Sequence, residues 1–354
     1  MIPILYEKDT KNVDITKKGI GVLVDVASCV VTEERNGIFE LKMEYPINGV
    51  HFKEITVDRL ILAKPSQSGY NQLFRIYHVS KPMNDIVTVN AEHVSYMLSS
   101  VVVYPMEAFG VQAAFDELNN RLSQEEISFD FRVYYEDEND LPTGRVYNKI
   151  PSSVRSLLGG PRGSILDACG GEYEFNNFDV IWHKERGADN GVVIAYAKNL
   201  TGFKCDEKTS GIVTGAMAVW IVEDENGNII NQVYGELARV ENKLSYSRNV
   251  VIDCSADFET EPTPEQLYNV AMQYVKSHKN APYYSISVEF VNLGDTEEYK
   301  HLKDLETVNL CDIVTVRHPI YNIDVKEKVV KTVYDTLKEK YVKIYLGETV
   351  RTIY

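Results

Sequence analysis

The sequence predicts a chain of the α+β class that is mainly β, with two pseudo-equivalent antiparallel β-barrel modules and an inserted α+β domain. Three observations lead to this prediction. Apolar and polar residues alternate over short segments near both ends of the chain, as in strands with one buried face. These segments follow one another at similar spacings in both regions. Between the two regions, apolar residues recur instead at helical spacing.

The repeated layout consists of four strand candidates near each end. The first set is 39–45, 57–64, 75–79 and 86–89, and the second set is 286–290, 310–317, 328–331 and 341–346. The step from Leu60 to Ile76 is equal in length to the step from Ile313 to Val329, and the next step is slightly longer in the second set. Two such modules let n subunits present 2n near-equivalent units around an axis. Two unrelated meanders with similar spacing remain an alternative.

The predicted elements follow in chain order. Asn36-Gly37 predicts a hairpin between strands 29–34 and 38–45. After Pro105, apolar residues predict a helix over Met106–Leu122. The remaining elements expected before residue 200 are a strand at 127–135, a polar loop at 136–144, a helix capped by Ser152 and ending at Leu158, a short helix at 164–169, and strands at 178–183 and 192–196.

The last third contains a second hairpin signal and one strong helix signal. Asn226-Gly227 lies between two apolar segments. Thr263 and Gln266 form a capping-box pattern with Pro264 at the first helical position. The apolar stripe that follows is Leu267, Val270, Ala271, Tyr274 and Val275. We therefore predict a first β-barrel module at 1–103, completed by strands from 201–250, an inserted domain at 104–200, and a second module at 201–354 with a helix at about 263–279.

Composition excludes several classes of protein. The chain has 354 residues and a net charge of −15, which opposes stable binding to nucleic acid. It has no continuous apolar run long enough to span a bilayer, so no membrane insertion is expected. The N-terminus lacks a signal-peptide pattern, which predicts synthesis and folding in a cytoplasm. The five cysteines form no C-x-x-C pair and suggest neither disulfides nor zinc. The 23 tyrosines suit half-exposed sheet faces and subunit interfaces.

The best candidate for catalysis is Cys169 with His183 as its base. Cys169 falls at the end of a predicted helix, where the helix dipole disfavours a thiolate. Asp224–Asn228 resembles a calcium loop, but Ile229 and Gly235 stand where an EF-hand needs Gly and Glu. The seven histidines show no pair at ligand spacing. We therefore expect no catalytic residue, no cofactor and no metal site.

Three ordered stretches resemble one known family, the N-terminal region of phage minor structural proteins, also called prophage endopeptidase tail proteins. The first is 31–41 with Tyr45-Pro46. The second comprises 163–166, 170–172, 176–178, 186–187 and 191–201. The third comprises 310–316, 328–331, Tyr334-Asp335 and 346–348. Ala195 and Ala197 stand where the family often has Arg and Gly.

The resemblance implies a tail-tip baseplate hub that acts as a homotrimer, whose six barrels continue a hexameric tail tube and form part of the DNA channel. The implied partners are distal tail and tape-measure-type proteins and receptor-binding or fibre proteins. The implied location is the virion tail tip, with the host cytoplasm during assembly. Family peptidases occupy a C-terminal extension, so none is expected before Tyr354.

Two other functions remain open at this stage. One is a cell-wall-degrading cysteine peptidase that uses Cys169 and His183, which loss of activity in Cys169→Ala would support. The other is a carbohydrate-binding module that recognises the cell wall through its tyrosine-rich strands, which salt-resistant binding to purified walls would support.

Overall fold

The computed structural model describes residues 1–8, 13–80, 83, 85–122, 129–209, 211–242, 244–258, 260–278, 283–290 and 307–347. The expected strand start at Ile127, the expected helix end at Lys279, and Glu348 lie outside these residues. The chain is mainly β, as predicted, and divides into two compact units. The first comprises Met1–Lys204 and Ile286–Tyr354, and the second comprises Cys205–Ser285. No helix in the described residues is long and apolar enough to cross a bilayer.

The first unit contains most of the strands and three helices. Its strands are β1 (Ile4–Tyr6), β2 (Gly21–Val22), β3 (Ser28–Glu34), β4 (Phe39–Pro46), β5 (Leu60–Ala63), β6 (Gln72–Ser80), β7 (Ile86–His93), β8 (Val102–Val103), β9 (Met106–Phe109), β10 (Asp130–Tyr134), β11 (Arg145–Asn148), β12 (Ser152–Ser153), β13 (Glu172–Asn176), β14 (Asp179–His183) and β15 (Val193–Ala195). Its helices are α1 (Val111–Leu122), α2 (Val154–Leu158) and α3 (Ile165–Cys169).

Four further strands and one helix belong to the second unit, and two strands carry the chain between the units. The unit has β17 (Gly215–Glu223), β18 (Ile229–Tyr234), β19 (Ala238–Arg239), β20 (Asn249–Asp253) and α4 (Pro264–Lys276). The two connecting strands are β16 (Leu200–Lys208) and β21 (Tyr283–Phe290). The first unit ends with β22 (Ile313–His318), β23 (Ile323–Asp335) and β24 (Lys340–Gly347).

One large sheet of the first unit contains both copies of the repeated strand layout. Its order is β16-β21-β24-β23-β3-β4-β7-β6-β5-β1-β2, and β22 pairs with both β23 and β15. Five strands of the first copy therefore have neighbours in the order β3-β4-β7-β6-β5. Five strands of the second copy have the same order, β16-β21-β24-β23-β22. The closure of each set into a barrel remains a prediction, as do the domain boundaries at 103 and 200.

The N-terminal hairpin forms at the predicted turn. Asn36 adopts a left-handed conformation with φ of 55°, and the Gly37 N–H donates to the Glu34 carbonyl. Along β4, Phe39, Leu41, Met43 and Tyr45 are buried, as their alternation with polar residues predicts. Their side chains join the core of the large sheet, where Phe39 stacks on His93 with ring centroids 4.3 Å apart.

The inserted segment has its own apolar core, and two details differ from the sequence prediction. The core gathers Phe115 and Leu118 of α1, Trp182 of β14 and Tyr173 of β13. Met106–Phe109 is a strand paired with β11, so the helix begins only at Val111. The cap of α2 is Ser153 and not Ser152, because Ser152–Ser153 pairs with β8 and places the Ser153 hydroxyl against the Ser156 N–H.

The second unit packs α4 on its four-stranded sheet. Thr263 and Gln266 form the predicted capping box around Pro264. The buried face of the helix consists of Leu267, Ala271 and Val275, which join Trp220 and Cys254 in one core. Tyr274, which the sequence also assigned to this face, is 36% exposed. The Asn226-Gly227 turn joins β17 to β18 as predicted.

Candidate functional site

The two copies of the strand layout meet where β3 pairs with β23, a contact that we call the strand junction (Val30–Glu34 with Lys331–Asp335). The strands are antiparallel, with Lys331 opposite Glu34 and Asp335 opposite Val30. The Arg35 N–H extends the pairing by donating to the Val330 carbonyl over 2.9 Å. The pairing makes one continuous sheet of the two copies within a single chain.

A group of charges lies beside the strand junction, and we call it the Glu172 cluster (Arg35, Glu172, Arg186 and Lys328). The Glu172 carboxylate accepts from Arg35 Nη1 at 3.0 Å, from Lys328 Nζ at 3.0 Å and from the Arg186 backbone N–H at 2.7 Å. Burial acts to raise the pKa of Glu172, but the Arg186 N–H and the Lys328 ammonium outweigh it, with help from the Arg35 guanidinium. The pKa therefore lies below its usual value and the carboxylate is charged.

This cluster joins three distant parts of the sequence. Arg35 belongs to the first strand copy, Glu172 to the inserted segment and Lys328 to the second copy. Asn36 reinforces the same place, since its side chain donates to the Gly171 carbonyl at 3.0 Å and accepts from the Tyr173 N–H at 2.8 Å. The tip of the N-terminal hairpin is thereby fixed to the inserted segment.

A second polar contact between β6 and the inserted segment surrounds His93. Gln72 Oε1 accepts from the Asn177 N–H at 2.7 Å and lies 3.1 Å from His93 Nε2. Asn177 Oδ1 in turn accepts from the Leu73 N–H at 2.8 Å. Burial, with a smaller effect of the Arg155 charge, lowers the pKa of His93 to about 3. The imidazole is therefore neutral at neutral pH.

The structure does not join the catalytic candidates Cys169 and His183. Cys169 Sγ contacts the Gly144 carbonyl at 4.0 Å, and His183 Nε2 lies 2.9 Å from Glu174 Oε2. Within the described residues no hydrogen bond connects the thiol with the imidazole. Burial raises the pKa of the Cys169 thiol, which opposes thiolate formation. This arrangement offers no activated nucleophile.

The calcium-like loop is a hairpin turn. The Asp224 carboxylate accepts from the backbone N–H groups of Asn226 and Asn228, so its oxygens serve the turn itself. Across the described ranges, no group of three or more His, Cys, Asp or Glu side chains is placed to hold a metal ion.

Comparisons with known proteins agree with this architecture. Residues 188–354 match the family model of the prophage endopeptidase tail. The prophage tail protein gp18 from Listeria monocytogenes EGD-e is 14% identical, with a TM-score of 0.62 over 99% of this chain and 95% of that chain. The 43 kDa tail protein of prophage MuSo2 from Shewanella oneidensis is 11% identical, with a TM-score of 0.64 over 98% of each chain.

A third solved structure shares the fold. The tail protein from Neisseria meningitidis MC58 is 8% identical, with a TM-score of 0.61 over 99% of this chain and 97% of that chain. No curated protein sequence matches the chain. The chain therefore shares its fold with these three tail proteins, and the family match covers a little under half of its length. Its resemblance to the prophage endopeptidase tail family, drawn above from the sequence, is confirmed over residues 188–354.

Sequence reasoning assigned no role to the residues that form these contacts. Glu172 and Asn36 both stand in the stretches that resemble the family, but each has a partner 137 residues away in the chain. The signals available in the sequence were a carboxylate directly after Gly170-Gly171 and an asparagine at a hairpin turn.

Proposed function

We propose that the chain is a structural baseplate hub at the tip of a phage or prophage tail, where it joins a hexameric tail tube to the tip. The observation that carries this proposal is the repeated strand order, joined through the strand junction into one sheet. A chain with two equivalent units meets a six-fold tube when three copies form a ring. The tail-protein family and the shared fold support the same conclusion.

The net charge of −15 suits a ring through which DNA passes. An acidic surface repels phosphate, so a channel lined in part by this protein would let DNA move without binding it. The partners in this role are two further copies of the chain, the distal tail and tape-measure-type proteins, and receptor-binding or fibre proteins. The protein acts at the virion tail tip after assembly in the host cytoplasm.

The role proposed is not enzymatic, although the family name mentions an endopeptidase. The separate surroundings of Cys169 and His183 favour this choice over a cysteine peptidase. A Cys169→Ala variant should match the wild type in any peptidoglycan hydrolysis that tail particles show. Loss of hydrolysis in that variant alone would contradict the proposal.

The deciding experiment is a three-dimensional reconstruction of the assembled tail that contains this chain. We expect three copies in a ring at the distal end of the tube, each spanning two of six equivalent positions. A position on the outside of the tail, or a copy number other than three, would overturn the hub assignment.

A further inference from the structure

Residues 58–80 of the first strand copy correspond to 311–333 of the second at a constant offset in numbering. Leu60 pairs with Arg75, and Ile313 pairs with Lys328. Asp58 and Cys311 occupy equivalent places and have left-handed φ angles of 69° and 74°. Few residues other than glycine adopt this conformation, so its recurrence at matched positions marks a shared backbone design.

Hydrogen bonds and a bulge extend the correspondence. The Asp58 N–H donates to the Ile76 carbonyl at 2.7 Å, and the Cys311 N–H donates to the Val329 carbonyl at 2.8 Å. The pairing of β6 with β7 shifts register between Ile76 and His78, and that of β23 with β24 shifts between Val329 and Lys331. The C-terminal half of β6 is therefore the equivalent of the C-terminal half of β23.

These equivalent halves differ in what covers them. Beyond Val329, β23 is covered by β3 of the same chain at the strand junction, and Val330 is 3% exposed. Beyond Ile76, β6 has no strand on this edge among the described residues. Tyr77, the equivalent of Val330, is 47% exposed. An uncovered strand edge with an exposed aromatic side chain is a surface suited to pairing with another strand.

The strand that could cover β6 lies at the other end of the same sheet. β3 pairs with β4 in the first copy, and β16 pairs with β21 at the equivalent place in the second. The other edge of β3 binds β23, whereas β16 is the terminal strand of the sheet in the described part of the chain. Among the described residues β16 pairs with β21 and not with β6 of the same chain, so a second molecule supplies the partner.

We infer that His78–Ser80 of β6 pairs antiparallel with the C-terminal end of β16, Asp206–Lys208, from a second copy of this chain, as Lys331–Val333 of β23 pairs with Thr32–Glu34 of β3 within one copy. This inference rests on the proposed function and names the contact that builds the ring. Three chains would then contain three junctions within chains and three between chains, all of one design. The occupant of the β6 edge is thus this protein itself.

The test places a photo-crosslinking amino acid, benzoylphenylalanine, at Tyr77 in the full chain. Isotopically labelled and unlabelled protein are mixed at high concentration and irradiated, and the products are mapped by mass spectrometry. We expect a mixed-label product that joins residue 77 to the peptide containing 206–208, at the C-terminal end of β16. The same probe at Tyr70, which is 75% exposed and lies before β6, should give far less of this product.

A charge at the edge provides a second measurement. Tyr77→Lys should weaken self-association roughly tenfold, because a tyrosine at an interface centre is a common binding hot spot. Its thermal stability should stay unchanged, because the side chain is exposed in the single chain. Tyr104→Lys, at a residue 72% exposed, is the matched control and should leave self-association intact.

The cross-linking results distinguish failure of the β6–β16 pairing from failure of the hub assignment. Absence of a mixed-label product, or cross-links from residue 77 to other segments, would overturn the β6–β16 pairing. The expected cross-link in an assembly that is not a closed ring of three would contradict the hub and leave the pairing in place.

Discussion

His93 is a single residue whose protonation is linked to folding. The unfolded imidazole has a pKa of about 6.5, whereas burial lowers the pKa of the folded imidazole to about 3. Between these values the unfolded chain binds a proton that the folded chain does not, so the free energy of unfolding falls as the pH decreases. The loss is up to about 1.4 kcal/mol per pH unit.

We predict that His93→Gln will flatten this pH dependence. Between pH 6.5 and pH 5 the wild type should lose about 2 kcal/mol more than the variant, measured by urea unfolding. The control is His278→Gln, which changes a partly exposed histidine of the second unit. Parallel curves for wild type and His93→Gln would show that the imidazole is not buried neutral.

Glu172 contributes to the stability of the fold because its carboxylate binds two cationic side chains beside the strand junction. Glu172→Gln should cost about 3 kcal/mol, the scale for removing one partner of a buried ion pair. Glu107→Gln breaks a pair with Arg145 in which both side chains are more than 40% exposed, and it should cost less than about 1 kcal/mol.

The stabilisation that Glu172 contributes depends on pH. Its pKa is lower in the folded chain, so its stabilisation is present above about pH 4.3, the unfolded pKa, and is lost as the pH falls through the folded pKa. Equal costs for the Glu172 and Glu107 variants at pH 7 would refute the central role of the cluster.

At the scale of elements, the sequence predicted what local patterns determine. Asn36-Gly37 and Asn226-Gly227 formed hairpins, and Thr263 capped α4, because turn and capping preferences act within a few residues. Met106–Phe109 became a strand instead of helix because β11, which follows only after α1 and β10, offers a pairing partner. The Glu172 cluster could not be predicted from local sequence patterns, because its ion pairs join residues 137 and 156 positions apart in the chain.

The packing of helix α4 on its sheet can be tested by adding a charge to either face of the helix. Leu267 is fully buried against the sheet of the second unit, so Leu267→Asp should cost several kcal/mol by placing an unpaired charge in an apolar core. Asn269→Asp adds the same charge to the exposed face of the helix and should change stability by less than about 0.5 kcal/mol. A Leu267→Asp variant that melts within a degree of the wild type would contradict this packing.

At the scale of the molecule, the internal repeat was visible in the sequence as two equal spacings, Leu60 to Ile76 and Ile313 to Val329, and the structure shows their cause. Both spacings connect paired strands that end at one backbone arrangement, built on Asp58 and Ile76 in one copy and on Cys311 and Val329 in the other. The sequence could not reveal this arrangement, because neither aspartate nor cysteine signals a left-handed residue as glycine does. The order of strand pairing is the same in the two copies, although the side chains at equivalent positions differ.

The repeat predicts the geometry of the assembled protein. If three chains form one ring, its six strand copies occupy six equivalent positions. A rotation of roughly sixty degrees about the ring axis should then superpose residues 58–80 of one copy on residues 311–333 of the next copy around the ring. The reason is that the strand junction within a chain and the β6–β16 contact between chains would share one design. A reconstruction of the tail tip measures this rotation directly. Strand copies whose axes cannot share one channel would show that the duplication serves the fold of the single chain and not a ring.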